Sequence, residues 1–128
     1  MALNSKSSFR TVALAAAKIL DGKKAEDILI LHPGPSNPVA DYLVIAGAMS
    51  PAHMEALETE VVKTIRPTGI PSLHRARPPS HSWRILDFGG LLVHIMTAEA
   101  REFYALEKLH AGARRIKFEP PRAKSAAA

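Results

Sequence analysis

The residues of this chain that could do chemistry are six histidines, Ser50, Asp87 and the glycines at 47, 89 and 90. Metal-dependent nucleotidyl transfer needs carboxylates held together so that they coordinate Mg²⁺ and clamp a triphosphate. Gly47-Ala48-Met49-Ser50 could open such a site, but no D-x-D or E-x-D follows, and Asp87 stands alone on its segment. His32, His53, His74, His81, His94 and His110 include no i, i+4 pair and no H-E-x-x-H. Only His81 and His94 could approach each other across a hairpin, and two ligands do not make a zinc site. Ser50-Pro51 is explained by helix capping, and no base is placed to activate the hydroxyl. Neither G-x-G-x-x-G nor G-x-x-x-x-G-K occurs, so no phosphate loop is expected. No enzyme, metal or cofactor follows from these residues. What remains is recognition.

For recognition the candidates lie between Trp83 and Leu109. Trp83 is the single tryptophan of the chain and can be a core aromatic or a half-exposed interface anchor. Asp87 stands beside Gly89-Gly90, where a buried unpaired carboxylate would be costly, so it is expected to be exposed, paired or held for a cationic partner. Phe103 and Tyr104 are adjacent on one helix, so one faces the core and the other solvent. Phe103, with Leu106 three residues on, is the core candidate. Tyr104 then points outward, with Arg101 and Glu107 beside it at i−3 and i+3. His94, mid-strand in an apolar run, is expected to be hydrogen-bonded into the sheet.

The elements that position these residues can be read from periodicity. Val12, Ala15, Ala16, Ile19 and Leu20 form an amphipathic stripe, predicting a helix over Phe9 to Leu20 stopped by Asp21-Gly22. Ile28 to Leu31 reads as a short strand, followed by a loop with three prolines. Asp41 to Ala46 is nearly continuous in apolar character, the pattern of a strand buried on both faces. Ser50 then caps a helix with Pro51 at its first position and Met54, Leu57, Val61, Val62 and Ile65 on its apolar face, ending at Pro67-Thr68-Gly69.

Pro71 to Arg75 is a weak strand candidate. Trp83 to Phe88 and Leu91 to Met96 predict a hairpin whose Gly89-Gly90 pair can adopt positive φ. A last helix is expected from Thr97 to His110, capped by Thr97, with Glu99 and Glu102 near its positive end. The expected architecture is α/β, one mixed sheet flanked by helices. The domain is expected over residues 1–112, and 113–128 as a basic flexible tail adding at most a few extended residues.

At 128 residues, one domain with a real core is expected. No cysteine is present, which excludes disulfides and thiolate chemistry and suits a reducing cytosol. No apolar run approaches the ~20 residues of a membrane span, and the basic start lacks the apolar region of a secretory signal. A cytoplasmic protein is expected, with mitochondrial or plastid placement the weaker reading. Charge is divided along the chain: residues 1–24 carry five Lys/Arg and one Asp, residues 25–109 seven basic and ten acidic groups, and residues 110–128 five basic groups and one Glu. An acidic body with basic ends suits docking on a basic protein while the ends sample phosphate. A nucleic-acid binder would carry its excess on the body.

Trp83, Asp87, Gly89 and His94 fall at the spacing W-x-x-x-D-x-G-x-x-x-x-H, and Glu99, Arg101, Glu102, Tyr104, Leu106 and Leu109 at E-x-R-E-x-Y-x-L-E-x-L. With Asp21, Lys23 to Ile28, Ala40-Asp41-Tyr42 and Val44-Ile45-Ala46, these blocks make residues 10 to 110 resemble the ribosomal silencing factor (Iojap-like) family. The resemblance implies a fold related to nucleotidyltransferases but without their catalytic residues. It also implies binding to the large ribosomal subunit through its protein fourteen, a basic protein at the intersubunit face. Such binding would sterically block subunit joining and repress translation. Trp83, Asp87, Gly89, Arg101, Tyr104 and Glu107 are then the partner-binding candidates, the basic termini candidates for ribosomal RNA contacts, and a homodimer in the free state is suggested. An RNA-binding module and a divergent nucleotidyltransferase are the alternatives. Two departures matter below: Gly90 stands where the family usually has Asp, and His110 where it often has Trp.

Overall fold

The protein is described from a computed structural model covering residues 3–34, 40–72 and 81–118. Helix α1 (Phe9–Gly22) starts where Ser8, in an extended conformation, accepts a hydrogen bond from the Thr11 N–H at 3.2 Å. It stops where the Lys23 N–H closes on the carbonyls of Ile19 and Leu20 and Lys24 turns to a φ of 68°. Strands β1 (Glu26–His32) and β2 (Tyr42–Ala48) follow, then helix α2 (Pro51–Ile65). The Ser50 hydroxyl caps α2 by accepting from the His53 N–H at 3.0 Å, and Pro51 occupies the first turn, where its missing N–H removes no helical bond. A 3₁₀ turn (Arg66–Thr68) and Gly69, at φ 78°, end that segment. Strands β3 (Trp83–Asp87) and β4 (Leu91–Thr97) form the hairpin, and helices α3 (Ala98–Tyr104) and α4 (Leu106–Leu109) precede a last strand, β5 (Arg114–Ile116).

The five strands make one mixed sheet in the order β3-β4-β2-β1-β5. The central pair β2/β4 is parallel, Val44 opposite Val93 and Ile45 opposite His94, and the other three pairings are antiparallel. Leu43 to Ala48 and Leu91 to Met96 are buried without interruption, because helices cover both sides of these two strands. On one face Val44, Ala46, Leu91, Val93 and Ile95 pack with Val12, Ala16 and Leu20 of α1 and Met54, Leu57 and Val61 of α2. On the other, Leu31, Leu43, Ile45, Leu92 and Met96 pack with Ala100 and Leu106. Each fully buried Leu or Ile stabilises the fold by about 1.5–3 kcal/mol relative to exposure.

Expectations for the last helix and for the glycine pair change. The last helix is not continuous: Ala105 takes a left-handed conformation at φ 49°, its N–H bonding back to the Arg101 carbonyl at 2.9 Å, so the chain turns between α3 and α4. That turn reassigns the helix faces. Leu106 and Ala100 enter the core, whereas Phe103, expected inside, is 80% exposed. Only Gly89 of the glycine pair has positive φ (84°). A Cβ at Gly90 would lie 2.5 Å from Cε2 of Phe9, so any side chain there would require the Phe9 ring to move. Finally, Pro71 and Ser72 join no strand, and the rest of that candidate lies outside the described residues.

The boundary expected after Gly112 falls just before β5, whose Ile116 is buried opposite Ile30 of β1. No helix among the described residues is long and apolar enough to cross a membrane.

Candidate partner-binding surface

The hairpin and the broken helix bring four of the six candidate residues together. Trp83, Ile85 and Asp87 alternate onto the face of β3 shared with His94 and Met96 of β4, Trp83 opposite Met96 and Ile85 opposite His94. Trp83 is half-buried. Its indole N–H donates to Nδ1 of His94 at 3.0 Å, and its ring lies against Tyr104 with centroids 4.5 Å apart. Tyr104 in turn meets Phe103 edge to face at 5.0 Å. A contiguous set of rings thus runs from the buried His94 (6% exposed) to Phe103 in solvent.

Arg101 and Glu107 are present at this surface but turned inward. Their side chains pair at 3.3 Å across the helix break, and Arg101 also reaches the Glu26 carbonyl at 3.4 Å. The pair fastens α3 to α4 and to the start of β1, which holds Tyr104 in place. The remaining two candidates lie elsewhere. Asp87 and Gly89 sit at the turn of the hairpin, four residues and therefore about 13 Å along the strand from Trp83. The Asp87 carboxylate accepts from the Gly89 N–H at 2.9 Å, so it shapes the turn.

Sequence reasoning missed two residues here: Phe103, and Leu109, which is 74% exposed at the end of α4. Both depend on the left-handed turn at Ala105, which no local signal such as Gly or Pro announces. Glu99 and Glu102, exposed on α3, put negative charge beside these apolar side chains. Exposed apolar side chains with carboxylates beside Phe103 and Tyr104, and with the exposed Lys108 next to Leu109, fit a partner that is apolar at its centre and charged around it.

His94 is neutral. Burial, reinforced by the charge of His110, lowers its pKa to about 4. An indole N–H can only donate, so Nδ1 of His94 is the acceptor and the ring proton sits on Nε2. This meets the expectation of a histidine hydrogen-bonded into the sheet. No three His, Asp or Glu side chains among the described residues are grouped to hold a metal. A groove of about 560 Å³ near Asp21, Glu26, Asp27 and Phe118 carries none of the six candidates.

The sequence model of the family described as "Ribosomal silencing factor during starvation" matches residues 6–128. A ribosomal silencing factor from Treponema pallidum is 33% identical over 99 residues, covering 76% of this chain and 87% of the relative. One from Bacillus subtilis is 32% identical over 100 residues, covering 78% and 85%. A crystal structure of a protein from Chromobacterium violaceum superposes with a TM-score of 0.75 at 22% identity, over 88% of this chain and 92% of that one, which establishes the shared fold.

Proposed function

Because the chain belongs to the ribosomal silencing factor family, whose members are ribosome-binding regulators and not enzymes, we propose that it docks on the large ribosomal subunit and hinders joining of the small one. The observation that carries this reading is the exposed set Phe103, Tyr104 and Leu109 beside Glu99 and Glu102. Apolar and aromatic side chains exposed together are a common centre of a binding surface, and the carboxylates favour a basic counterpart. The counterpart is a basic protein at the intersubunit face, large-subunit protein fourteen. Trp83 supports Tyr104 from below, and Arg101 with Glu107 fixes the helix that carries it. Asp87 and Gly89 present the hairpin turn as a second, smaller contact.

Blocking is steric: a bound domain has only to occupy space that the small subunit must enter. No cofactor takes part. The fold is read as nucleotidyltransferase-like in ancestry, without a carboxylate pair for catalysis. The protein acts in the cytoplasm, free as a monomer or a homodimer.

Titration of the purified basic ribosomal protein with this chain tests the reading. Saturable binding at micromolar concentration supports it, and absence of binding contradicts it. A contribution from RNA is favoured by Arg114 and Arg115, both exposed on β5 at the sheet edge. If those residues and the basic residues that follow β5 contact phosphates, affinity for whole subunits falls with salt, and charge-neutralised variants lose part of that slope.

A further inference from the structure

We infer that His94 is the positioning residue of the docking surface: by accepting the indole N–H of Trp83 it fixes the ring on which Tyr104, and through it Phe103, is presented. The inference rests on the proposed docking role of these rings for its effect on binding. Its structural half stands independently.

Trp83 and His94 share a face but are not directly opposite. Trp83 faces Met96, so it is the diagonal neighbour of His94, a distance only a long or aromatic side chain spans. An indole on a half-covered edge strand has two free torsions and an amphipathic ring. It packs against this face of the core and against Tyr104, contacts that carry little direction of their own. The bond to His94 adds a directional constraint to that packing. The N–H to Nδ1 distance of 3.0 Å is that of a well-formed bond, and the ring centroids lie 5.9 Å apart at a 39° tilt.

His94 is itself held. It lies between β2 and β3 in the sheet, opposite Ile45 and Ile85, and is buried beneath the helices of this face. An acceptor fixed in the most rigid layer therefore sets the angle of a ring at the edge. That ring lies 4.5 Å from Tyr104, which lies 5.0 Å from Phe103. A polar side chain here is otherwise unexplained, since a leucine of comparable volume would fill the site without a burial penalty for nitrogen atoms. Orientation of Trp83, and not core packing, is then what it supplies.

Trp83 is the only tryptophan of the chain, so its indole N–H gives a single side-chain resonance in a ¹⁵N correlation spectrum of the intact protein. In the parent protein this proton should exchange at least about a hundredfold more slowly than a free indole. Exchange at the free rate overturns the inference without any variant. In H94L the protection should vanish and affinity for purified large subunits should fall about tenfold, a loss of about 1.4 kcal/mol. In H94N, whose carboxamide oxygen can stand near the place of Nδ1, protection and affinity should largely return. Rescue by Asn distinguishes an acceptor role from simple filling. Should H94L not fold, W83F serves in its place: it keeps an aromatic ring, removes the donor, and should weaken subunit binding in a protein that still folds cooperatively.

Retained indole protection in H94L overturns the inference, as does equal subunit affinity of H94L and parent where W83A binds weakly. If W83A itself binds like the parent, the docking role of the rings fails. The exchange data still decide the positioning claim.

Discussion

On one face of the sheet α1 and α2, capped by Ser8 and Ser50, seal Val12, Leu20, Met54, Leu57 and Val61 against the strands. On the other, seven-residue α3 and single-turn α4 cover only the centre and leave Phe103 and Leu109 in solvent. The same strands thus serve two ends. Where two long helices lie side by side the apolar stripe is used up in the core. Where a short helix breaks at Ala105, part of the apolar complement is turned outward and becomes available to a partner. Stability should therefore concentrate on the first face and binding on the second.

The largest expected effect probes the first face. Leu57→Ala on α2 removes a fully buried side chain and should lower unfolding free energy by roughly 3–5 kcal/mol in urea titration, with no change in the ribosome affinity of the folded protein. Next is the acid sensitivity of the second face. The pKa of His94 is lowered in the folded state by burial and by His110, to about 4 from 6.5. The unfolded chain therefore binds a proton at a pH where the folded one does not. The stability associated with neutral His94 is complete above about pH 6.5 and is lost as pH falls toward 4, on the order of 3 kcal/mol in all. Denaturation of parent and His94→Leu across that window should show the variant losing less by about this amount; parallel curves would contradict it.

Phe103→Ala sharpens the comparison from the other side. It should weaken subunit binding by about 2 kcal/mol while leaving the unfolding free energy within about 0.5 kcal/mol of the parent, since the ring is already in solvent. Smaller still, Ala105→Gly relieves a left-handed conformation that a Cβ disfavours and should raise stability by up to about 1 kcal/mol without moving the exposed rings. Thermal melts would detect it. A loss of stability instead would mean that the break between α3 and α4 is not held as described.

The difference between the faces also explains what could be read from the chain. Ser8 and Ser50, Pro51 and the periodic apolar positions of α1 and α2 are local signals, and the helices stand within two residues of where those signals put them. The central strands were legible from their unbroken apolar runs. The last helix misled because nothing between Thr97 and His110 discourages helix. The turn at Ala105 is imposed by tertiary contacts, with Leu106 drawn into the core and Arg101 tied to Glu26 and Glu107. Phe103 was thereby assigned to the wrong side. Gly90 looked like a turn glycine, and its reason, Phe9 lying against it, is 81 residues away in sequence. The motif residues Trp83 and Tyr104 could be named, but that their rings pack together at a tilt, and that His94 bonds the first of them, depends on strand register and helix direction together.

The central claim is that the aromatic face of α3 and α4 meets the large ribosomal subunit. Sedimentation of purified large subunits through sucrose with the parent chain and with the double variant Phe103→Ser, Leu109→Ser tests it directly. The parent should travel with the large subunit and lower the yield of joined ribosomes as its concentration rises, while the folded double variant stays at the top of the gradient and leaves joining unchanged. Co-sedimentation and inhibition by the double variant equal to those of the parent would contradict the account.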